Sequence, residues 1–185
     1  MADDALLMST TRAPLGDPAL AQLFNEARTY SGWLPRRIDE ADLLRLYELL
    51  RMAPTAMNAS PGRFVFVTSE AGKARLLPHV APMNVEKVKA AAATVIVARD
   101  LRFFEFADTY FPARAEMLKA MDPAAPMVRD NATRNATLQG AYLILAARAL
   151  GLDCGPMSGF AGAGVNAEFF PDGRCEADFL VNLGY

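Results

Sequence analysis

The sequence is poor in histidine and cysteine, with one His and two Cys among 185 residues. A zinc site made of cysteine and histidine ligands cannot be assembled from His79, Cys154 and Cys175 alone. Ser-His-Asp or Cys-His catalysis would depend on that single His79, which lies in the loop-like stretch LLPHVAP. The composition therefore disfavours hydrolytic chemistry.

The chain also lacks an excess of positive charge, since 19 Lys and Arg oppose 21 Asp and Glu and leave a net charge of −2. This balance predicts no electrostatic binding to nucleic acid or to anionic lipid. No segment approaches the roughly 20 apolar residues of a membrane span. Asp3 and Asp4 stand where a signal peptide carries basic residues. We therefore expect a cytoplasmic protein in which residues 1–16 form a mobile leader, and we expect no disulfide.

Hydrophobic residues make up 52% of the sequence. The length predicts a single domain, residues 17–185, that buries about two thirds of its unfolded surface. Asp17 and Pro18 are expected to open a first helix as N-cap and first-turn proline. Asp39 is expected to cap a second helix, which Pro54 ends.

Hydrophobic patterning predicts few strands and many helices in the rest of the chain. Three apolar runs are typical of buried strands: FVFVT at 64–68, TVIVA at 94–98 and FLVNLGY at 179–185. Helices are expected near 70–77, from about Asn84, within RFFEFADTYF, and from Asp130 to Leu150. Because strands and helices do not alternate regularly, the pattern predicts an α+β fold.

The helix expected from Asp130 to Leu150 is apolar on more than one side. One stripe consists of Leu138, Ala141, Tyr142, Leu145 and Ala149. Leu143 and Ile144 make the opposite side apolar too, and a helix that is hydrophobic on all sides is buried on all sides. A small domain cannot easily cover such a helix by itself, so the pattern indicates a partner subunit. Gly151 is the expected C′ glycine of this helix.

A glycine-rich segment, GAGVNA at 162–167, matches a variant of the dinucleotide-binding fingerprint, G-x-G-x-x-A. The fingerprint requires a strand before it and a long helix after it. The sequence predicts a turn before this segment and a helix that must end before Pro171. The segment is therefore interpreted as a flexible loop leading into a short helix.

Two stretches look shaped to hold a ligand. CGPMSGF at 154–160 is predicted to be a turn, where Gly155 and Gly159 let the backbone approach a flat ring. APTAMNASPGR at 53–63 is stiffened by prolines that can hold an amide side chain in one place. A simple helix-to-strand connection explains the second stretch equally well.

Two further groups of residues could contribute positive charge and a side-chain amide to a ligand site. EARTYSGW at 26–33 places Arg28 at a helix end beside hydroxyl groups that can donate to a phosphate. Asn84 and Lys87 are three residues apart and share a helix face. A solvated charge or a helix cap explains each of these alone. Together they suit a planar ligand with a phosphate tail, which is what a flavin mononucleotide (FMN) site requires.

The order ARTYSGW, APTAMNASP, MNVEK, ARALGLDCGPMSGF and VNLGY resembles the nitroreductase superfamily of FMN-dependent oxidoreductases. Within the superfamily the chain is most similar to the branch that contains the malonic semialdehyde reductase of the Rut pyrimidine-degradation pathway. The resemblance runs from about residue 20 to Tyr185. It implies a central, mostly antiparallel sheet surrounded by helices. It also implies an intertwined homodimer with two FMN sites at the subunit interface.

The resemblance also implies which residues bind FMN. Arg28, with Thr29 and Tyr30, is similar to the phosphate-binding arginine segment, and Asn84 and Lys87 match the pair near the N1–C2=O edge of the ring. The loop that one subunit places over the partner's flavin corresponds to Pro54, Thr55, Ala56 and Asn58. The turn whose backbone N–H approaches flavin N5 corresponds to Pro156, Met157, Ser158 and Gly159. By this resemblance, the amide of Ser158 matters more than its hydroxyl, and no side chain is assigned as catalytic.

The sequence departs from the superfamily in two places. Ser31-Gly32-Trp33 stands where many nitroreductases carry a second basic residue. Superfamily members also continue past the last strand into a tail with another phosphate-binding arginine, whereas this sequence stops at Tyr185. Either this sequence lacks the tail, or its phosphate site is weaker than is usual in the superfamily.

The expected activity is that of a reductase supplied by NADPH or NADH, with ping-pong transfer of hydride through flavin N5. The resemblance implies that 3-oxopropanoate (malonic semialdehyde) is reduced to 3-hydroxypropanoate. A broad nitroaromatic or quinone reductase is the alternative enzyme. A flavin-binding protein without useful turnover, and a domain that binds no flavin, are the alternatives outside that class.

Overall fold

The computed structural model describes residues 13–185, so most of the predicted leader lies outside the described residues. The helices are α1 Asp17–Leu20, α2 Glu40–Leu50, α3 Glu70–Leu76, α4 Pro82–Ala90, α5 Ala107–Tyr110, α6 Ala115–Lys119, α7 Pro126–Ala149 and α8 Gly162–Phe169. The strands are β1 Gly62–Val67, β2 Ala93–Asp100, β3 Asp153–Met157 and β4 Cys175–Gly184. A π-helical turn, Ala21–Asn25, continues α1, and single 3₁₀ turns lie at Ala56–Asn58, Leu77–His79, Phe103–Phe106 and Pro112–Arg114. No helix of the described chain is both long enough and apolar enough to cross a bilayer.

The four strands form one antiparallel sheet in the order β1-β2-β4-β3. This confirms the predicted α+β class with a central antiparallel sheet and surrounding helices. TVIVA lies in the central strand β2, where burial on both faces matches its continuous apolar run. FVFVT lies in β1, and its prediction as a fully buried strand is wrong. Only the two end residues of β1 are buried, because β1 is an edge strand.

The stretch predicted as a turn, CGPMSGF, is mostly strand. Residues Asp153–Met157 form β3, which pairs with β4 along the second edge of the sheet. Pro156 and Gly155 discourage a strand interpretation because both residues weaken central strands. At an edge, a missing N–H costs little, and the real bend begins only at Ser158.

The predicted N-cap of the first helix is wrong. Gly16, not Asp17, is the N-cap, and Asp17 is the first helical residue. The other helix signals hold: Asp39 precedes α2, although its side chain makes no capping bond. Gly151 follows α7 with φ of 77°, the left-handed conformation expected of a C′ glycine.

Helices cover both faces of the sheet. Helices α2 and α7 pack on one face, against the valines of β2 and β4. The other face is covered by side chains from α3, α4 and α8, which pack around Ile96 and Leu180. A third cluster lies in the connection between β2 and α7, where Phe103 and Leu118 pack against Ala59 and the first turns of α7.

Helix α7 begins four residues earlier than predicted, at Pro126, and it is not buried on all sides within one chain. Leu143 faces the core, whereas Leu138 is 46% exposed and Tyr142 is 39% exposed. The reason is packing: a Cβ on Gly140 would lie 2.4 Å from Phe179 Cζ, so the small-residue side of the helix lies against the sheet. The larger apolar stripe therefore faces outward.

The GAGVNA segment forms most of α8, and a strand does precede it, contrary to the prediction of a turn and a flexible loop. The dinucleotide interpretation still fails, because β3 and β4 are antiparallel and no parallel crossover exists between them. A Cβ on Gly164 would lie 2.3 Å from Nδ1 of His79. The glycine thus serves the close packing of α8 against the turn that contains His79.

Candidate functional site

The bend after β3 is attached to the beginning of α4 by backbone hydrogen bonds. The N–H of Ala81 donates to the Gly159 carbonyl at 2.9 Å, and the N–H of Ala161 donates to the His79 carbonyl at 2.7 Å. Val80 and Phe160 form an isolated antiparallel bridge between these two bonds. These contacts join the edge of the sheet to the start of α4.

Asn84 and Lys87 share a face of α4, as their spacing predicts, and Asn84 lies against this bend. Asn84 is only 6% exposed, and its Nδ2 donates to the Gly159 carbonyl at 3.3 Å. Lys87 Nζ donates to Asn84 Oδ1 at 3.2 Å. The structure therefore brings together two groups that are 75 residues apart in the chain.

Two backbone N–H groups of the bend lack an acceptor in the described part of the chain. Within residues 13–185, neither the N–H of Ser158 nor that of Gly159 has a protein acceptor. Gly159 cannot carry a side chain here, because a Cβ would lie 2.5 Å from Asn84 Nδ2. With the Lys87 ammonium nearby, the result is a concentration of donors and positive charge on a bare backbone surface, suited to a flat, electron-rich group.

The segment around Arg28 runs along the outer side of β3. Thr29 bridges Cys154 in the parallel sense, and the Tyr30 N–H donates to the Cys154 carbonyl at 3.1 Å. Gly155 permits this approach, since a Cβ there would lie 2.6 Å from the Tyr30 carbonyl oxygen. Arg28 is exposed, and its Nη1 donates to the carbonyls of Asn25 and Ala27, both at 2.8 Å. These bonds hold the guanidinium at the end of the π-helical turn.

The proline-bracketed loop, residues 53–63, is held by several hydrogen bonds and lies away from the bend. The Ala56 N–H donates to Asn135 Oδ1 at 2.8 Å, and Thr55 Oγ1 accepts from the Ser60 N–H at 3.1 Å. Asn58 Nδ2 donates to the Tyr110 carbonyl at 2.8 Å. Met57, Asn58 and Ser60 all have positive φ, between 42° and 55°, which is uncommon for residues other than glycine.

The sheet order separates this loop from the bend. The loop leads into β1 at one edge of the sheet, whereas the bend follows β3 at the other edge. Three strand spacings of roughly 4.8 Å place the two edges about 14 Å apart. A single chain therefore places Asn84 and Lys87 against the bend at Gly159, and Thr29 and Tyr30 against the start of β3 at Cys154. The residues Pro54, Thr55, Ala56 and Asn58 lie at the other edge of the sheet.

A cavity of about 450 Å³ lies beside the loop. Its lining includes Tyr47, Arg51, Asn58, Arg63, Tyr110 and Gln139. Gln139 is buried and accepts the Gly62 N–H at 2.7 Å. Sequence reasoning did not identify Gln139 and Tyr110 as lining residues. The available signal for Gln139 was its spacing of four residues from Asn135, which puts two amide side chains on the same face of the helix. The sequence carries no comparable signal for Tyr110.

The two cysteines are not reactive groups. Burial raises the pKa of Cys154 to about 12 and that of Cys175 to about 11. Both thiols are free and stay protonated at neutral pH, and the thiolate is the nucleophilic form. Among residues 13–185 there is also no cluster of side chains able to hold a metal ion. Covalent catalysis by either cysteine is therefore not expected.

Comparison with known proteins gives consistent results. A model of the Nitroreductase family matches residues 26–183. The chain is 53% identical over 178 residues to a protein of Rhodopseudomonas palustris (strain TIE-1) named Putative NADH dehydrogenase/NAD(P)H nitroreductase, covering 96% of this chain and 89% of that protein. A protein of the same name from Stutzerimonas stutzeri (strain A1501) is 50% identical over 174 residues, covering 94% and 88%.

Solved structures share the fold. A putative nitroreductase, ydfN, from Bacillus subtilis superposes with a TM-score of 0.80 at 25% identity, covering 90% of this chain and 88% of that one. A putative nitroreductase from Exiguobacterium sibiricum 255-15, whose crystal structure is a complex with FMN, superposes with a TM-score of 0.79 at 22% identity. That superposition covers 95% of this chain and 90% of that one.

Proposed function

Because this chain belongs to the nitroreductase family, we propose that it is an FMN-dependent oxidoreductase that takes its reducing equivalents from NADPH or NADH. The names of its relatives support the nicotinamide part of the proposal, and the FMN complex of the structurally similar protein from Exiguobacterium sibiricum supports the flavin part. The observation that carries the proposal is the bend after β3. There, the N–H groups of Ser158 and Gly159, which have no acceptor among residues 13–185, lie beside the buried Asn84 and its partner Lys87.

The residues of the bend fit a flavin. The bare backbone of Gly159 leaves room for a ring, and the N–H groups of Ser158 and Gly159 can donate to a ring nitrogen. Arg28 is exposed along the same strand and can bind a phosphate. When bound, FMN supplies the hydride-carrying nitrogen that connects nicotinamide oxidation to reduction of a second substrate.

The contribution of the chain itself is electrostatic. Lys87 would hold a positive charge near the edge of a bound ring, where a fixed charge stabilises a developing negative charge by about 3 kcal/mol. Nucleophilic catalysis is not required. The overall reaction consumes NAD(P)H and one proton and returns NAD(P)⁺ and the reduced substrate.

A second copy of the chain completes the site in this proposal. The loop residues Pro54, Thr55, Ala56 and Asn58 cannot reach the bend of their own chain, because the sheet separates them. The outward stripe of α7, which includes Leu138 and Tyr142, offers the apolar surface for dimer contact. We propose a homodimer in which each loop covers the ligand of the partner. The free thiols accord with a cytoplasmic location.

The substrate we propose is 3-oxopropanoate, reduced to 3-hydroxypropanoate by addition of a hydride to the aldehyde carbon and a proton to its oxygen. Its support is the resemblance of the bend and loop segments to the malonic semialdehyde reductase branch. Nitroaromatic compounds and quinones are the competing substrates, because pocket contacts rather than the fold decide substrate choice.

The first experiment is spectroscopic. Purified protein reconstituted with FMN is expected to be yellow, to gain thermal stability and to lose its visible absorbance when NADPH or NADH is added without oxygen. A yellow protein that no nicotinamide bleaches would reduce the proposal to flavin binding. Colourless protein with no thermal shift in excess FMN would overturn it.

The second experiment compares substrates. Turnover of 3-oxopropanoate is measured beside that of a nitrofuran and a benzoquinone, with the same protein and the same nicotinamide. A higher kcat/KM for the aldehyde supports the proposed substrate. A large preference for the nitrofuran replaces it with a broad nitroreductase activity.

A further inference from the structure

Another cavity, of about 530 Å³, lies at the opposite end of the sheet from the bend. Its walls come from residues 34–38, from the turn after β1 and from the connection between α4 and β2. The sheet register places it where β1 and β4 end and where β2 and β3 begin. The length of β3, about 13 Å for four residue steps, separates this end of the sheet from the bend.

The walls of this cavity carry more positive than negative charge. Arg36, Arg37 and Lys73 line it, and Glu70 is the one carboxylate among its described lining residues. Glu70 Oε1 lies 4.0 Å from Lys73 Nζ, but 95% of the Glu70 side chain is exposed, so solvent screens its charge. Within residues 13–185, neither arginine forms an ion pair. Three cations and one carboxylate leave an excess of two positive charges.

Lys73 is held in the wall of the cavity. The residue is only 6% exposed, and its Nζ donates to the carbonyls of Lys89 at 3.0 Å and Ala91 at 2.7 Å. An ammonium group has three N–H donors, so one remains after these two bonds. A buried charge whose only counter-ion is exposed is unfavourable. An anion in the cavity would compensate this charge.

The guanidinium of Arg36 is stacked on an aromatic ring. Its Cζ lies 3.7 Å from the centroid of the Tyr185 ring, and the Tyr185 carbonyl accepts from the Leu34 N–H at 2.8 Å. Stacking leaves the in-plane N–H groups available, and these match two oxygens of an anion. Ser69 adds a hydroxyl donor, since its Oγ accepts from the Gly72 N–H at 3.1 Å and its hydrogen has no acceptor in the described chain.

We propose that this cavity binds the dianion of a phosphate group, either free or as an organic monoester, with Arg36, Lys73 and Ser69 as its donors. A phosphate group carries a charge of roughly −1.5 to −2 at pH 7 and has three strong acceptor oxygens, so it matches the excess positive charge better than a carboxylate does. Leu34 and Ile38 give the cavity apolar walls that an attached organic group can contact. None of these residues is assigned to FMN, so the site is separate from the proposed function.

Three substitutions at exposed positions test the site. Arg36→Ala removes one donor group and one positive charge, and Glu70→Gln removes the negative charge from the wall. Arg45→Ala is the matched control, because Arg45 is an exposed arginine on α2 that does not line the cavity. Lys73 is left unchanged because its bonds hold the end of α4.

The first measurement is calorimetric titration with phenyl phosphate. The protein carries bound FMN and is freed of excess FMN by gel filtration, so the flavin site is filled. A Kd of about 1 mM or tighter is expected; Arg36→Ala should weaken it about tenfold and Glu70→Gln should tighten it about twofold, with no change in Arg45→Ala. No binding at about 10 mM, or the same Kd for the wild type and Arg36→Ala, would overturn the phosphate site.

The second measurement locates the ligand. Phenyl phosphate is expected to slow hydrogen exchange about threefold over residues 34–38 and 68–73 and to leave residues 26–30 unchanged. Protection of residues 26–30 alone would place the anion at Arg28 and overturn the cavity as its site. If the wild type binds no FMN, the proposed function fails, and the same exchange experiment on flavin-free protein still decides whether phosphate binds in the cavity.

A set of probes identifies the chemical class. Benzoate is matched to phenyl phosphate in its ring but carries a carboxylate, and it should bind about tenfold more weakly. Equal affinity for benzoate would overturn the assignment to phosphate. Inorganic phosphate and adenosine 5′-monophosphate distinguish the sources: similar Kd values support the free ion, and a Kd about fivefold tighter for the nucleotide supports an organic monoester.

Discussion

Asp100 Oδ2 lies 2.7 Å from Nη2 of Arg63, although Asp100 is completely buried. Arg174 approaches the same carboxylate from the turn before β4, at 3.1 Å, and the Arg102 N–H donates to its second oxygen at 2.8 Å. The ring of Phe106 lies within about 5 Å of both guanidinium groups, at 5.5 and 5.1 Å. One carboxylate thus ties the start of β1, the end of β2 and the turn before β4 beside the proline-bracketed loop.

Asp100→Asn is expected to lower the free energy of unfolding by about 3–5 kcal/mol, because it leaves two arginines beside a neutral, buried amide. Urea denaturation of the purified protein measures this. Glu105→Gln is the control, since Glu105 contacts Arg174 at 2.9 Å but its side chain is 44% exposed. Its cost is expected to stay below about 1 kcal/mol. Equal costs would mean that the buried carboxylate has no special role.

Stability is expected to fall in acid through Glu176. Burial alone would raise the pKa of Glu176, but hydrogen bonds from Arg129 and Arg99, together with their charges, leave it below its ordinary value of 4.5. A carboxyl whose pKa is lower in the folded state stabilises the fold above its unfolded pKa and loses that contribution as pH falls through the folded value. The difference in Tm between the wild type and Glu176→Gln should therefore be largest near pH 7 and shrink below pH 4.5. A constant difference would contradict this.

Both cysteines should resist labelling in the native protein. Burial raises the pKa of Cys154 to about 12 and that of Cys175 to about 11, so little thiolate exists at pH 8. A disulfide reagent is expected to react slowly with native protein and rapidly, with both thiols, in denaturant. Cys175, which is less buried than Cys154, should react first. Fast native labelling of Cys154 would show that β3 opens readily.

Arg28→Ala should weaken FMN binding by tenfold or more, as about 1.5–3 kcal/mol for a charge-assisted bond implies. The rate at which bound flavin is reduced should change little, because Arg28 is assigned to the phosphate. Fluorescence titration gives the affinity, and anaerobic mixing with NADPH gives the rate. Arg37→Ala, an exposed arginine outside the bend, should affect neither. Full occupancy with lost hydride transfer would remove this assignment.

Ala141→Glu is expected to convert the proposed dimer to monomers. The substitution places a carboxylate in the exposed apolar stripe of α7, where desolvation in an interface is unfavourable. Light scattering after gel filtration gives the mass. Ala74→Glu is matched to it, because Ala74 is also an exposed helical alanine but lies on α3, on the opposite face of the sheet. If the wild type is itself a monomer, or if both variants stay dimeric, the interface proposed for α7 is wrong.

The sequence correctly predicted those elements whose own residues indicate how deeply they are buried. TVIVA is the clearest example, because a continuous β-branched run suits a central strand. The edge strand β3 was missed because Gly155 and Pro156 favour a turn locally, and only the pairing with β4 overrides them. Spacing predicted that Asn84 and Lys87 share a face.

The contact between Asn84 and Gly159 could not be predicted, since the two lie 75 residues apart and meet only through the sheet. The exposed apolar stripe of α7 agrees with the prediction that one chain cannot cover this helix on all sides, but the sequence did not indicate which side faces the sheet. Gly140 and Ala136 permit a close approach to the sheet, so the side that carries them turns inward. Shape, rather than hydrophobicity alone, decided which side faces the core.

The left-handed residues Met57, Asn58 and Ser60 have a kinetic consequence for assembly. Conformations of this kind cost about 1–3 kcal/mol each and persist only where neighbouring bonds hold them, as those from Asn135 and Thr55 do here. The loop consequently acquires its shape while its own chain folds. In the proposed homodimer, ordering of this loop would then add nothing to the entropy cost of association, and the association rate should follow rotational and translational diffusion, with little dependence on temperature beyond that of solvent viscosity.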